Sequence, residues 1–177
     1  MTKISTEAEQ FFDRYAYPAW LRTHSLLVGR IAETIVSARA DVKTQARDIA
    51  LAGYLHDIGR SPLVADDRRE HNELSALILA AEGLAGSVEP ARRHAIYTVL
   101  DPATAPATLA DKIVYVADRR GGMRVETIDA RARDTAHRHP RFAADIERAI
   151  PAAKALEREV FGGLPFAPGE LEAHLIT

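Results

Sequence analysis

Cysteine is absent from all 177 residues, which excludes disulfides and thiolate metal sites; any metal would have to be held by nitrogen and oxygen. No uncharged apolar run is long enough to span a bilayer. An excess of either charge is also missing. Lys and Arg number 23 against 25 Asp and Glu, for a formal net charge of −2. Without a global basic field, a nucleic-acid polymer is not the expected partner. Met1-Thr2-Lys3-Ile4 leads into charged residues rather than an apolar leader, so the expected location is cytoplasmic, with no membrane partner. What is present is ordinary for a globular chain: 47% hydrophobic and 27% charged residues, enough for one domain over residues 1–177 with its own core.

Apolar residues recur at helical rather than alternating spacing, and no strand pattern emerges. The spacing predicts helices over Thr6–Tyr15, from Pro18 or Ala19 to Ala40, and from a turn at Asp41–Thr44, with Thr44 as cap, to about His56. Ser61 to Asp67 reads as a loop. Further helices are expected over Arg69–Glu82, Glu89–Leu100, Thr108–Arg119, Val125–His137 and Arg141–Phe161, with a short turn at Glu170–His174. Pro140 and Gly162-Gly163 act as breakers. The fold class that follows is all-α, a helical bundle.

Polar residues then stand out where they fall on apolar faces. His24 lies in the stripe Leu21, Leu27, Val28, Ile31. His56 and Asp57 extend the buried side formed by Ala46, Ile49, Ala50 and Gly53, just before the chain breaks at Gly59. His71 shares a face with Leu74, Ser75 and Ile78, and Asp118 follows Val114 by four positions. His94 faces Ala91 and Thr98, a less distinct surface. One inward histidine is usually a hydrogen-bonded core residue, and one terminal aspartate a capping group. A whole set is different: buried carboxylates are costly alone, and several ligand types converging on one cation remove that cost.

In this order, His24 in His24-Ser25-Leu26-Leu27-Val28, His56-Asp57-Ile58-Gly59 and Ala117-Asp118, the chain resembles the HD superfamily of metal-dependent phosphohydrolases, over about residues 20–120. The resemblance implies an HD-type helical bundle, with His24, His56, Asp57 and Asp118 as metal ligands. His71 and His94 fall where two-metal branches carry extra histidines, and Asp57 would there bridge both ions. The run Asp111–Arg119 and the His71…Ser75-Ala76 spacing are similar to the bacterial symmetrical diadenosine-tetraphosphate hydrolases, whereas Ala91–Thr98 lacks their His-Thr-rich signature. The implied cofactor is one or two divalent transition-metal ions (Fe, Mn, Zn, Co or Ni), which imidazole and carboxylate accept alike.

The resemblance implies cleavage of a phosphate ester or anhydride by metal-activated water, in a nucleotide or another small phosphorylated molecule. The pKa of water falls from about 15.7 toward roughly 7 on a divalent ion. Asp57 and Arg60 are the expected catalytic residues. Arg60, Arg119 and Arg120 are candidate phosphate contacts, because arginine presents a planar fork to two oxygens. Two other readings stay open: a phosphodiesterase acting on a cyclic dinucleotide or nucleic-acid end, and a non-catalytic signalling module. A homodimer through the last long helix is a further expectation.

Overall fold

Thr2 starts the first helix. Its hydroxyl accepts the Ser5 N–H at 3.0 Å, so α1 (Lys3–Arg14) opens three residues upstream of the expected Thr6. The computed structural model describes residues 2–176. After α1 the backbone turns at Ala16, a non-glycine residue at φ 49°, and α2 (Ala19–Ser37) follows Pro18. Val42 is drawn into the core, so the expected turn at Asp41–Thr44 is instead a 3-10 segment, Ala40–Gln45. Thr44 therefore lies inside that segment and caps nothing; Gln45 occupies the N-cap position of α3 (Ala46–Leu55), without a side-chain bond.

The remaining helices are α4 (His71–Ala81), α5 (Ala85–Arg92), α6 (Leu109–Arg120), α7 (Ile128–Arg138) and α8 (Ala143–Phe161). The segment expected as the loop from Ser61 holds a 3-10 turn at Pro62–Val64. Arg69 is not helical because Asp67 takes its N–H at 3.0 Å in a local turn. Thr108 and Asp111 form a reciprocal cap on α6, which accounts for both residues structurally. Among the described residues there is no strand, only one bridge between Gly121 and Val125. The fold is all-α, as the periodicity implies.

The structure divides one of the expected helices. The expected Glu89–Leu100 is two pieces: α5 begins at Ala85 and stops at Arg92, and a 3-10 segment covers Ile96–Leu100. The reason is local competition for carbonyls. His94 Nδ1 donates to Ala91 O at 2.5 Å, and the Thr98 hydroxyl lies 2.8 Å from Arg93 O and 2.7 Å from Ala95 O. Side chains thus hold the acceptors that a continuing helix would use.

Two apolar clusters meet along α3. One packs α2, α3 and α6 against Ala153, Val160 and Phe161 of α8; the other joins α1, Leu21, Tyr54, Leu79 and Ala91. The α2–α3 crossing is unusually close. A Cβ on Gly29 would fall 2.0 Å from the Tyr54 ring, and one on Gly53 would fall 2.6 Å from Ala32 Cβ. Only glycine admits that approach, and it draws the inner faces of α2 and α3 together. On α8 the solvent side carries Glu147, Arg148, Ala155, Arg158 and Glu159 rather than large apolar side chains. Among the described residues, no helix is long and apolar enough to cross a membrane.

Candidate metal centre

His24 comes from the second turn of α2, His56 and Asp57 from the end of α3, His71 from the first residue of α4, His94 from the break after α5, and Asp118 from the last turn of α6. The fold brings all six together. Apart from His71, they are buried.

The donor atoms form two groups. His24 Nε2 lies 3.2 Å from His56 Nε2 and 3.3 Å from Asp118 Oδ1; Asp57 Oδ2 stands 3.8 Å from His24 Nε2 and 3.7 Å from His56 Nε2. In the second group His71 Nε2 and His94 Nε2 are 3.2 Å apart, and both face Asp57 Oδ1, at 3.5 and 3.3 Å. Asp57 therefore turns one oxygen to each group.

Backbone carbonyls fix the imidazoles. His56 Nδ1 donates to Gly53 O at 2.8 Å, as His94 Nδ1 does to Ala91 O; His24 Nδ1 makes a longer contact of 3.5 Å with Gly122 O. With the proton on Nδ1, the Nε2 atoms are lone-pair acceptors aimed at one another and at carboxylates. Acceptors facing acceptors at this range need a cation between them. Ligand atoms each about 2.1 Å from a shared ion lie roughly 3.0–3.4 Å apart, close to the spacings here. The residues present suit a divalent metal with nitrogen and oxygen ligands.

The electrostatics agree. Burial pushes the His56 imidazole down from its ordinary 6.5 to about 4, against the opposing pull of Asp57 and Asp118. Burial likewise takes His71 to about 3. Both are neutral, ligand-ready rings at neutral pH. Burial alone would raise Asp57, but the Arg60 guanidinium and His56 more than offset it, and the carboxyl is held well below the usual carboxylate range. Burial is outweighed at Asp118 as well, by Arg119 and His24.

Arg60 is part of this arrangement. Its Nε donates to Asp57 Oδ1 at 2.8 Å, and its Nη2 lies 3.0 Å from His71 Nε2. A guanidinium thus provides the positive charge for the second donor group, yet 42% of its side chain remains open to solvent. Arg119 pairs with Asp118 Oδ2 and lies over the Tyr115 ring. Arg120 is not brought to the cluster: it ties α6 to Glu157 of α8 at 3.0 Å and to Pro168 O at 2.8 Å.

Two supporting residues have contacts that the pattern does not show. Gly59, legible only as a chain break, is the clearest. A Cβ there would fall 2.2 Å from His71 O and 2.8 Å from Ser75 N, and its N–H donates to the Ser75 hydroxyl at 2.9 Å. The glycine lets the start of α4, and with it His71, close onto Asp57. Tyr17 is buried, its hydroxyl lacks a partner among the described residues, and burial followed by the Asp57 charge raises its pKa. Only its place before Pro18 could have drawn attention to it.

Comparison with known proteins agrees with this geometry. No curated protein and no solved structure matches the chain. The family model described as HD domain matches residues 21–123, a span that starts just before His24 and ends just after Asp118. More than half of the sequence is covered, and the chain belongs to the HD domain family.

Proposed function

We propose that this protein is a metal-dependent phosphohydrolase that cleaves a phosphate ester or anhydride bond of a nucleotide or similar small phosphorylated molecule, with water as nucleophile. One observation carries the reading: the Asp57 carboxylate divides its oxygens between two sets of imidazole Nε2 atoms. A lone structural aspartate has no use for that arrangement, whereas a carboxylate between two cations does. His24, His56, Asp57 and Asp118 would hold one ion; His71, His94 and Asp57 would hold a second. When bound, such ions supply Lewis acidity that lowers the pKa of water toward about 7 and offsets phosphate charge.

The chain's own groups prepare the rest. The carbonyls of Gly53 and Ala91 hold their imidazoles in one tautomer and one orientation. Arg60 reaches the solvent-open side and can exchange Asp57 and His71 for two phosphate oxygens. Water attacks phosphorus and loses a proton to solvent, the bond to the leaving oxygen breaks, and that oxygen departs with the electron pair and takes up a proton from solvent. Arg119 has less freedom, being buried against Asp118 and Tyr115, and its role is to keep that carboxylate ionised.

The test is hydrolysis of nucleoside phosphates, dinucleoside polyphosphates and a simple phosphodiester by protein loaded in turn with iron, manganese, cobalt, nickel or zinc. Asp57→Ala is expected to abolish turnover and metal retention while circular dichroism still reports a helical protein. Full activity in that variant would refute the assignment.

A further inference from the structure

The histidines of the second donor group point toward Asp57, while residues near them in sequence line a cleft. Glu70, Asn72 and Glu73 surround His71; Arg92, Tyr97 and Thr98 flank His94; together they enclose about 190 Å³. A space of that size suits one ring system rather than a long chain.

The wall has few donors left for an anion. Arg92 pairs with Glu73 and, at 2.9 Å, with Glu89. Arg93 pairs with Glu89 and donates a hydrogen bond to Ala105 O at 2.7 Å. Asn72 donates to Arg92 O at 2.7 Å and accepts the Tyr97 hydroxyl at 2.9 Å. The Thr98 hydroxyl is spent on the carbonyls of Arg93 and Ala95. The Glu70 carboxylate makes no ion pair or side-chain hydrogen bond among the described residues, and Tyr97 is 38% exposed and pinned by its hydroxyl. The cleft thus offers a flat aromatic surface and hydrogen-bond acceptors. A phosphate would meet carboxylates; a neutral planar group bearing N–H or O–H donors would find partners. Tyr97 is hydrogen-bonded to Asn72, the residue directly after His71, and Arg60 contacts both Asp57 and His71, so the cleft adjoins the second donor group.

Building on the phosphohydrolase reading, we infer that this cleft is the nucleoside subsite: the base of a nucleotide stacks on Tyr97, its amino or ribose hydroxyl groups donate to Glu70, and its phosphates extend past Arg60 to the metal centre. The substrate class is then a nucleoside phosphate rather than a bare polyphosphate or a phosphorylated acid.

Two measurements test the subsite separately from the chemistry. The first is saturation-transfer NMR with adenosine, guanosine and cytidine on the metal-loaded protein. It needs no turnover and is expected to show base protons contacting the protein, with the signal lost in Tyr97→Leu and restored in Tyr97→Phe, which keeps the ring. The second compares KM for a nucleoside triphosphate with KM for inorganic tripolyphosphate. Tyr97→Leu is expected to raise that ratio about tenfold, the scale of one lost base stack, and Glu70→Gln to raise it less. A protein that binds nucleosides but hydrolyses neither substrate would refute the enzyme reading and leave the subsite standing. Absence of nucleoside contact, or a ratio unmoved by Tyr97→Leu, would overturn the subsite even where hydrolysis is robust.

Discussion

Gly59→Ala isolates one donor group from the other. The added Cβ would sit 2.2 Å from the carbonyl oxygen of His71, 2.8 Å from Leu74 Cβ and 2.8 Å from the Ser75 nitrogen. Two of those neighbours are backbone, so no side-chain rotation relieves the contact. Reaching even a tight 3.0 Å separation requires the start of α4 to retreat by about 0.8 Å. Overpacking of this kind costs about 1–3 kcal/mol, which for a chain of this length lowers Tm by roughly 2–12 °C. The retreat carries His71 away from Asp57 Oδ1, now 3.5 Å distant. His24, His56 and Asp118 belong to α2, α3 and α6 and do not depend on α4. Calorimetric titration with manganese should therefore show a first ion bound with near-native affinity and a second weakened by at least about tenfold. Two tight equivalents with an unshifted Tm would refute the argument that this glycine sets the distance between α4 and Asp57.

Acid should destabilise the stripped protein in a defined window. His56 and His71 have folded pKa values of about 4 and about 3, depressed from 6.5, so the unfolded chain takes up two protons that the folded chain refuses. Stability is complete above about pH 6.5 and falls as the pH drops toward about 4, with a limiting slope close to 3 kcal/mol per pH unit. Urea midpoints of chelator-treated protein at about pH 7.5 and about 5.5 check this, and equal midpoints would sink it. Arg60→Ala removes the guanidinium that stands among the second group's donors, so it should tighten second-ion binding in calorimetry. The same change should raise KM for phosphate substrates by roughly tenfold or more. A variant in which both quantities weaken together would show that Arg60 only props the site.

The sequence disclosed the centre better than its surroundings. His24 sits within an apolar stripe that continues on both sides, and His56 and Asp118 extend the buried faces of α3 and α6 at their ends, so periodicity aims all three inward. His94 was the obscure member because Ala91 and Thr98 read as an uninterrupted helical face. Its own Nδ1–H and the Thr98 hydroxyl break that helix by capturing carbonyls, an interaction that periodicity does not encode. Gly59 could be recognised as a chain break but not as a contact, since its neighbours His71 and Ser75 lie a loop away. Arg119 and Arg120 are adjacent and alike in sequence, yet a rotation of one residue around α6 sends one to Asp118 and the other to Glu157. A terminal basic pair reads as one feature until the neighbouring helices are placed.

That rotation bears on how the centre would work. Each cluster-facing carboxylate has its own guanidinium, Asp57 with Arg60 and Asp118 with Arg119, so two buried negative charges are matched within the protein itself. The two pairs are not equivalent. Arg119 exposes only 9% of its side chain, beside Tyr115, whereas Arg60 exposes 42% and touches the second donor group alone. Positive charge placed at His71, His94 and Asp57 Oδ1 repels Arg60 and has an outward path for it; at the first group the guanidinium lacks such a path. Filling the second group and presenting Arg60 to an anion are thus one coupled equilibrium, and each must favour the other to the same degree. A phosphate that engages Arg60 should accordingly tighten the second ion, and the first ion much less.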